Sequence, residues 1–268
     1  MPKLHLRDID LYYETTGEGQ PILFIHGLGS SGRDWEPQIA FFSQSERRSS
    51  AHYQIVTFDV RGHGQSDKPP GPYSIRLFAD DTAELIKALD IAPAHVVGIS
   101  MGGMIAFQLA VSAPDLVKSL TIVNSAPELV LRSFEERLRA LQRLLITHLL
   151  GMRKMGQVLS ERLLPKPEHA ELRRIFVERW AENDKRAYID SMKALVGWSV
   201  ADRLDDIRCP TLVIAADEDY TPVSLKEAYV AQIEQAELVV IQDSRHATPV
   251  EQPEQFNQAL MTFLARQV

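Results

Sequence analysis

The chain is poor in cysteine, in long apolar runs and in excess positive charge, and each shortage excludes a class of protein. Its 268 residues include a single cysteine, Cys209, which excludes an intrachain disulfide and is compatible with a reducing compartment. The longest apolar tract, Val96 to Val111, is shorter than the roughly 20 residues that a membrane span needs. Because the net charge is −7 and no basic stripe occurs, we expect no nucleic-acid partner.

Signals for export, for metals and for nucleotide cofactors are also missing. The first residues, MPKLHLRDIDLYYE, alternate polar and apolar positions and lack the apolar region of a secretory signal, so we expect a cytoplasmic protein with no membrane partner. No HExxH sequence or cluster of metal-ligand residues occurs, and no GxxxxGK or GxGxxG follows a predicted strand. We therefore expect neither a metal nor a cofactor.

Short apolar, β-branched runs alternate with segments of helical period. The runs predict strands that are buried on both faces, and two alternating segments near the start, LHLR and DLYYE, predict an antiparallel edge hairpin. Parallel strands need crossover connections, so the alternation predicts an α/β fold with an eight-stranded, mostly parallel sheet flanked by helices. The predicted strands after the hairpin are ILFI (22–25), IVTF (55–58), HVVGI (95–99), SLTIV (119–123), TLVIA (211–215) and LVVI (238–241).

The alternation stops between about Pro127 and Asp205. This interval has no strand-like run and indicates several helices, broken near Gly151, at Pro165 to Pro167 and around Gly197. Strands and helices resume after it. We therefore predict a core domain in two parts, residues 1–126 and 206–268, with an inserted helical cap at residues 127–205.

The sequence Gly98-Ile99-Ser100-Met101-Gly102 matches GxSxG between a predicted strand and a predicted helix. A serine on such a sharp turn needs glycines two positions away, where a side chain would collide with the neighbouring strand or helix. The pattern predicts Ser100 as a nucleophile.

A serine nucleophile requires a histidine base, and that histidine requires a carboxylate partner. His246 follows the last predicted strand, in the order expected for this motif. His26 and His63 remain alternatives, because each lies in a glycine-rich loop where it could instead brace the backbone.

The carboxylate is expected after the strand TLVIA, where Asp217, Glu218 and Asp219 compete. We favour Asp219, because it lies clear of the strand end and a Thr-Pro turn follows it; Asp217 is the alternative. Backbone amides would stabilise the oxyanion, and we expect these to be the amides of Met101, at the start of the helix, and of Leu28, in the HGLG loop.

Together these segments resemble the α/β-hydrolase fold family over nearly the whole chain outside the helical interval. The segments that carry the resemblance are FIHGLGSSGRDW, FDVRGHGQSDKP, VVGISMGGMIAFQLA, PTLVIAADEDYTP and RHATPVEQPEQF. Within the family, RGHGQSDKPPGPYSI and SMGGMIAFQLAVSAP look most like 3-oxoadipate enol-lactonases and related small carboxylesterases. The resemblance implies a helical cap between the sixth and seventh strands. It also implies Ser100, Asp219 and His246 as a triad, with Leu28 and Met101 as oxyanion donors.

The expected activity is cofactor-independent cleavage of a small carboxylic ester or lactone through an acyl-enzyme, in a protein that could form a homo-oligomer. Two alternatives stay open: a C–C bond hydrolase or perhydrolase with the same triad, and a small-molecule receptor with little turnover. The cap residues with which we expect the substrate to make contact are Trp180, Tyr188, Val196 and Trp198.

Overall fold

The computed structural model describes residues 3–43 and 52–267, and an eight-stranded sheet forms its centre. The strand order is β1-β2-β4-β3-β5-β6-β7-β8. Pairing is antiparallel between β1 and β2 and between β2 and β4, and parallel elsewhere, which confirms the predicted mostly parallel sheet with an antiparallel edge hairpin. The strands are β1 (Lys3–Leu6), β2 (Ile9–Thr16), β3 (Gln20–Ile25), β4 (Tyr53–Phe58), β5 (Ala94–Ile99), β6 (Val117–Val123), β7 (Thr211–Ala216) and β8 (Ala236–Ile241).

One strand differs from its prediction. The run LVVI predicts a strand that is buried on both faces, but most residues of β8 are only half-buried. The reason is its place in the sheet, because β8 is the last strand and has a neighbour on one side only.

Helices cover both faces of the sheet. Helices α2 (Ile75–Ala88) and α3 (Met101–Ser112) pack against one face. There, Phe78 of α2 and Ile105 of α3 belong to the same buried cluster as Val96 of β5. Helices α1 (Glu36–Phe42) and α9 (Pro253–Leu264) pack against the other. The remaining helices near the last two strands are α7 (Val223–Val230) and the short α8 (Thr248–Glu251).

Helix α3 is buried on all sides for most of its length. Every residue from Met101 to Val111 is buried, which fits a helix that is apolar all round and lies at the centre of the fold. Its apolar tract belongs to the core, and no helix in the described part of the chain is both long enough and apolar enough to cross a membrane.

The segment between β6 and β7 is helical. It contains α4 (Phe134–Leu163), α5 (Ala170–Ala181) and α6 (Lys185–Leu195). Gly151 interrupts α4 with a φ of 79°, Pro167 begins a short 3₁₀ turn, and Gly197 follows α6 with a φ of 85°. The breaks therefore lie where proline and glycine predict them. The division of the chain at residues 127 and 205 into core and cap stays a prediction.

Arg61, in the loop that follows β4, forms a buried ion pair. Arg61 donates to both carboxylate oxygens of Asp81 on α2, at 2.7 and 2.8 Å, and to the exposed Asp8. The side chains of Arg61 and Asp81 are only 3% and 4% exposed. Arg61 therefore ties the loop after β4 to the helix beneath it.

Replacing Asp81 by Ala leaves a buried guanidinium with one partner less, and we expect it to lower the free energy of unfolding by about 3–5 kcal/mol. The matched control is Asp80→Ala, one residue earlier on α2, which removes the exposed pair with Arg76 and should cost less than about 1 kcal/mol. Urea denaturation of both variants measures the difference. Equal losses of unfolding free energy in the two variants would show that the buried pair stabilises the fold no more than the exposed pair does.

Candidate active site

The turn between β5 and α3 holds Ser100 in a conformation that few residues adopt. Its φ is 54° and its ψ is −117°, and it is the residue immediately before the first turn of α3. The Ser100 amide donates to the Val123 carbonyl at the end of β6, at 3.0 Å, and its carbonyl accepts from the Ser125 hydroxyl, at 2.7 Å. A strained residue of this kind persists only where its surroundings fix it, and such residues are concentrated at functional sites.

Glycines make the turn sterically possible. A Cβ on Gly102 would lie 2.1 Å from the Ile25 carbonyl oxygen, and a Cβ on Gly98 would lie 2.2 Å from the Gly102 carbonyl oxygen. Neither position can therefore carry a side chain in this backbone arrangement. A Cβ on Gly27, in the loop after β3, would lie 3.5 Å from the Ser100 Cβ, so this loop runs directly beside the serine.

His246 and Asp219 meet although 27 residues separate them. His246 lies between β8 and α8, Asp219 lies in the loop after β7, and the distance from His246 Nδ1 to Asp219 Oδ1 is 2.9 Å. The Asp219 side chain is fully buried and that of His246 is 12% exposed. The structure thus brings together two of the three predicted triad residues by a direct hydrogen bond.

Asn124, at the end of β6, positions the loop that carries His246. Its side-chain amide donates to the carbonyls of Arg245 and His246, each at 3.1 Å, and its side-chain oxygen accepts from the Ala216 amide at the end of β7. One side chain therefore fixes the histidine loop to the ends of two strands.

The other two acidic residues of the loop after β7 have different partners. Asp217 accepts from the amides of Asp243 and Ser244, at 3.0 and 3.1 Å. Burial alone would raise the pKa of Asp217, but these amides lower it below the ordinary value. Glu218 pairs with Arg245 near the surface. Asp219 is thus the one of the three that contacts His246.

The alternative bases, His26 and His63, are buried and neutral. Burial lowers the pKa of His26 to about 4 and that of His63 to about 3. His26 accepts from the Val60 amide at 2.9 Å and also contacts the Gly27 carbonyl, so it braces the loops after β3 and β4. Although the two rings adjoin, the described residues contain no group of three or more side chains that could hold a metal.

A buried lysine completes the surroundings of Asp219. Lys226 on α7 is fully buried and donates to Asp219 Oδ2 at 2.8 Å and to the hydroxyl and carbonyl of Thr221. Burial alone would raise the pKa of Asp219, but His246 and Lys226 outweigh it and lower the pKa to about 2. Sequence reasoning missed Lys226, because a lysine in a helix is usually exposed.

The Tyr220 hydroxyl lies at Nε2 of His246, the ring nitrogen that does not contact Asp219. The two atoms are 2.8 Å apart, and the Tyr220 ring lies over the imidazole with the centroids 4.3 Å apart. Half of Tyr220 is exposed, while its hydroxyl end reaches the imidazole. Burial and the charge of Asp219 raise the pKa of Tyr220, so the phenol keeps its proton. Sequence reasoning missed Tyr220 too, although its place directly after Asp219 was a usable signal.

The two predicted oxyanion donors belong to segments that adjoin Ser100. Met101 is the first residue of α3, so no earlier turn of the helix supplies an acceptor for its amide. Leu28 lies one residue after Gly27, in the loop beside the serine, and its amide has no acceptor among the described residues. Both amides are available to a ligand at Ser100.

The four predicted substrate contacts divide into two groups. Trp180 and Tyr188 pack against the loop after β3, where a Cβ on Gly29 would lie 2.9 Å from the first ring and 3.0 Å from the second. Trp198 instead donates its indole N–H to Gln108 on α3, at 2.9 Å, and Val196 is 44% exposed. The structure therefore places only the first pair beside the loop that adjoins Ser100.

Comparisons with known proteins identify the family. The family model of the alpha/beta hydrolase fold matches residues 20–253, so the chain belongs to the α/β-hydrolase family. The predicted resemblance to this family and to enol-lactonase-like members is confirmed. The fold and the family together define a hydrolase.

Relatives and solved structures match along nearly their whole length. The (E)-2-((N-methylformamido)methylene)succinate hydrolase of Acinetobacter baylyi is 30% identical, and the match covers 94% of this chain and 93% of that protein. The 3-oxoadipate enol-lactonase 2 of the same organism is 29% identical over 99% of both chains. The crystal structure of the enol-lactonase from Burkholderia xenovorans LB400 matches with a TM-score of 0.89 at 23% identity, over 98% of this chain and 100% of that one, which shows a common fold.

Replacing Lys226 by Met should lower the free energy of unfolding by about 3–5 kcal/mol at pH 7, because it leaves the Asp219 carboxylate buried beside one partner fewer. The control is the double variant Asp219→Asn/Lys226→Met, which removes both charges and should recover most of that loss. A double variant that is no more stable than Lys226→Met would contradict a stabilising ion pair between Lys226 and Asp219.

The single variant Lys226→Met should also change how the free energy of unfolding depends on pH. Because the pKa of folded Asp219 is about 2, below its ordinary value, this carboxylate stabilises the fold above about pH 4 and the stabilisation is lost as the pH falls toward 2. Without Lys226 the pKa of folded Asp219 rises toward its ordinary value, so the free energy of unfolding of Lys226→Met should fall less than that of the wild type as the pH is lowered through this range. Urea denaturation between pH 3 and 7 measures this shift.

Replacing Tyr220 by Phe removes the hydroxyl that lies 2.8 Å from His246 Nε2 and would free that nitrogen for the predicted nucleophile Ser100. One hydrogen bond is worth about 0.5–1.5 kcal/mol, so kcat/KM for 4-nitrophenyl acetate should rise about 2- to 10-fold. Tyr13→Phe, on β2 near the edge of the sheet, is the control. A fall in kcat/KM of tenfold or more would instead show that the Tyr220 hydroxyl takes part in the reaction.

Proposed function

We propose that this protein is a cofactor-independent serine hydrolase that cleaves a small carboxylic ester or lactone through an acyl-enzyme. The observation that carries the proposal is the His246–Asp219 hydrogen bond of 2.9 Å, formed beside a serine held at a φ of 54° on a glycine-flanked turn. Packing alone would not require a strained serine, a buried carboxylate and a nearly buried imidazole at one place.

In the first step, His246 would accept the Ser100 proton while the serine oxygen attacks the substrate carbonyl. Tyr220 now holds the acceptor nitrogen, so the substrate must displace its hydroxyl before the serine can use it. Half of the Tyr220 side chain is exposed, which leaves space for a rotation about its side-chain bonds. Tyr220 would thus leave His246 when the site is filled.

The tetrahedral intermediate carries a negative oxygen, and the amides of Leu28 and Met101 would donate to it. Asp219 would hold the imidazole in the orientation that faces Ser100 and stabilise the imidazolium that forms. The buried Lys226 would keep Asp219 ionised throughout.

In the second step, the imidazolium would give its proton to the leaving oxygen, which releases the alcohol or opens the lactone. A water molecule, with His246 again as base, would then attack the acyl-enzyme and free Ser100. The helices between β6 and β7 would form the cap over this site, with Trp180 and Tyr188 as its contacts beside the oxyanion loop.

The test is labelling with a fluorophosphonate followed by peptide mass mapping. We expect one adduct, on the Ser100 peptide, and Ser100→Ala should lose both the label and at least about 10³-fold of the esterase rate. Ser112→Ala, at the other end of α3, is the matched control and should keep both.

A panel of esters, lactones and dienone acids then separates ester cleavage from C–C cleavage. Turnover well below about 1 per second on all of these substrates would favour a receptor. An unlabelled Ser100, or full activity in Ser100→Ala, would overturn the proposal.

A further inference from the structure

The outer face of α4 is apolar. From Phe134 to Leu149, large apolar residues recur at spacings of four, three, four and four residues, which places them along one face of the helix. The exposed fraction is 81% for Phe134, 72% for Leu149 and between 42% and 50% for the three residues between them. The described part of the chain thus leaves this face largely in contact with solvent. We call it the α4 stripe, and its members are Phe134, Leu138, Leu141, Leu145 and Leu149.

The inner face of the same helix is apolar as well. Leu144 and Ile146 pack against the main buried cluster, and Thr147 is fully buried. A surface helix of a single domain turns polar side chains outward, whereas a helix that is apolar on opposite sides belongs inside a packed structure. The composition of α4 therefore fits a helix that has a second layer of protein on its outer side.

The α4 stripe is large enough for a stable interface. Its exposed parts equal about three complete side chains of about 200 Å² each, so one copy offers about 600 Å² of apolar surface. This is the upper end of the range of about 300–600 Å² for the largest apolar patch of a typical monomer. Two stripes that face each other would bury about 1,200 Å², which reaches the size of a specific protein–protein interface.

The α4 stripe is symmetric about its own midpoint, which lies directly after Leu141. Phe134 and Leu149 are equally far from that point along the chain, and so are Leu138 and Leu145. Two antiparallel copies of α4 can therefore meet with Phe134 of each copy against Leu149 of the other, and with the two Leu141 side chains near the axis. A two-fold dimer requires a self-complementary surface of this kind, whereas a partner of different sequence does not.

The charges of the chain favour a second copy over a lipid surface. The α4 stripe contains no charged side chain, and the whole chain has a net charge of −7. A helix that lies on a membrane combines its apolar face with a face rich in Lys and Arg, which anionic headgroups attract. Such headgroups repel an acidic protein, but the uncharged stripe of one copy does not repel that of another.

From this arrangement we infer that the protein forms a two-fold dimer in which the α4 stripes of two copies pack antiparallel. From Phe134 to Leu149 the helix is about 22 Å long, and a crossing angle of about 20° keeps two helices in contact over such a length. Helix α4 also packs against α5 and α6, so the dimer joins the helical segments between β6 and β7 of the two copies. The inference does not depend on the proposed function.

Analytical ultracentrifugation of the full chain tests the dimer. We expect a dissociation constant of about 1 µM or lower, within the range for interfaces of this size. Leu141→Glu brings two carboxylates together near the axis and should raise that constant at least about 100-fold. The matched control is Leu225→Glu on α7, where the side chain is 42% exposed, and it should leave the constant unchanged. A monomeric wild type, or a dimer that Leu141→Glu does not weaken, would overturn the inference.

Cysteine cross-linking tests the antiparallel arrangement in the Cys209→Ser background, which has no other thiol. Under mild oxidation Leu141→Cys should link to itself across the axis, because a disulfide needs Cα atoms within about 7 Å. Phe134→Cys alone should stay unlinked, since its two copies would lie about 22 Å apart, but its mixture with Leu149→Cys should give a linked dimer. Self-linking of Phe134→Cys, or no link in Leu141→Cys, would overturn the antiparallel dimer.

Flotation with vesicles of phosphatidylcholine and phosphatidylglycerol tests a lipid surface as the other occupant of the stripe. The wild type should stay out of the vesicle fraction, because anionic headgroups repel an acidic protein. Vesicle binding that is lost in Leu141→Glu and kept in Leu225→Glu would assign the stripe to a membrane and would contradict the dimer.

Discussion

The close approach of α3 to the end of β3 is the constraint on which the rest of the site depends. At Gly102 the backbone lies so near the Ile25 carbonyl that a Cβ would be 2.1 Å from its oxygen. This contact forces the sharp turn at Ser100 and brings the loop after β3 alongside it. The same packing therefore places Gly27, and with it the predicted donor Leu28, beside the half-buried Ser100.

A second constraint is electrostatic and lies behind the histidine. Asp219 is fully buried and divides its two oxygens between His246 and Lys226. A carboxylate without those partners would protonate or leave the interior, since a buried charge is stable only when it is paired. The ion pair thus keeps Asp219 ionised, and Asn124 keeps the histidine loop within reach of it.

Local patterns predicted most of the fold and part of the site. The alternation of β-branched runs and helical segments gave the sheet, because strands such as β5 are buried on both faces and their composition shows it. The turn at Ser100 was predictable because its steric demand falls on Gly98 and Gly102, two residues away. The order of Asp219 and His246 along the chain was predictable in the same way, from the ends of β7 and β8.

The remaining site residues act through contacts that local sequence does not encode. Lys226 resembles an exposed helix residue until the fold buries it against Asp219. Asn124 joins loops that are more than 90 residues away. The edge position of β8, which leaves it half-buried, likewise follows from strand order rather than from composition.

The central claim is that Ser100, His246 and the amides of Leu28 and Met101 form one acylation site after Tyr220 moves aside. A crystal structure of the phosphonate adduct tests it most directly. The account predicts phosphorus bonded to Ser100 Oγ, a phosphonyl oxygen about 2.7–3.1 Å from the amide nitrogens of Leu28 and Met101, and the Tyr220 hydroxyl displaced from His246 Nε2. An adduct whose phosphonyl oxygen contacts neither amide, with Tyr220 still bonded to His246, would contradict it.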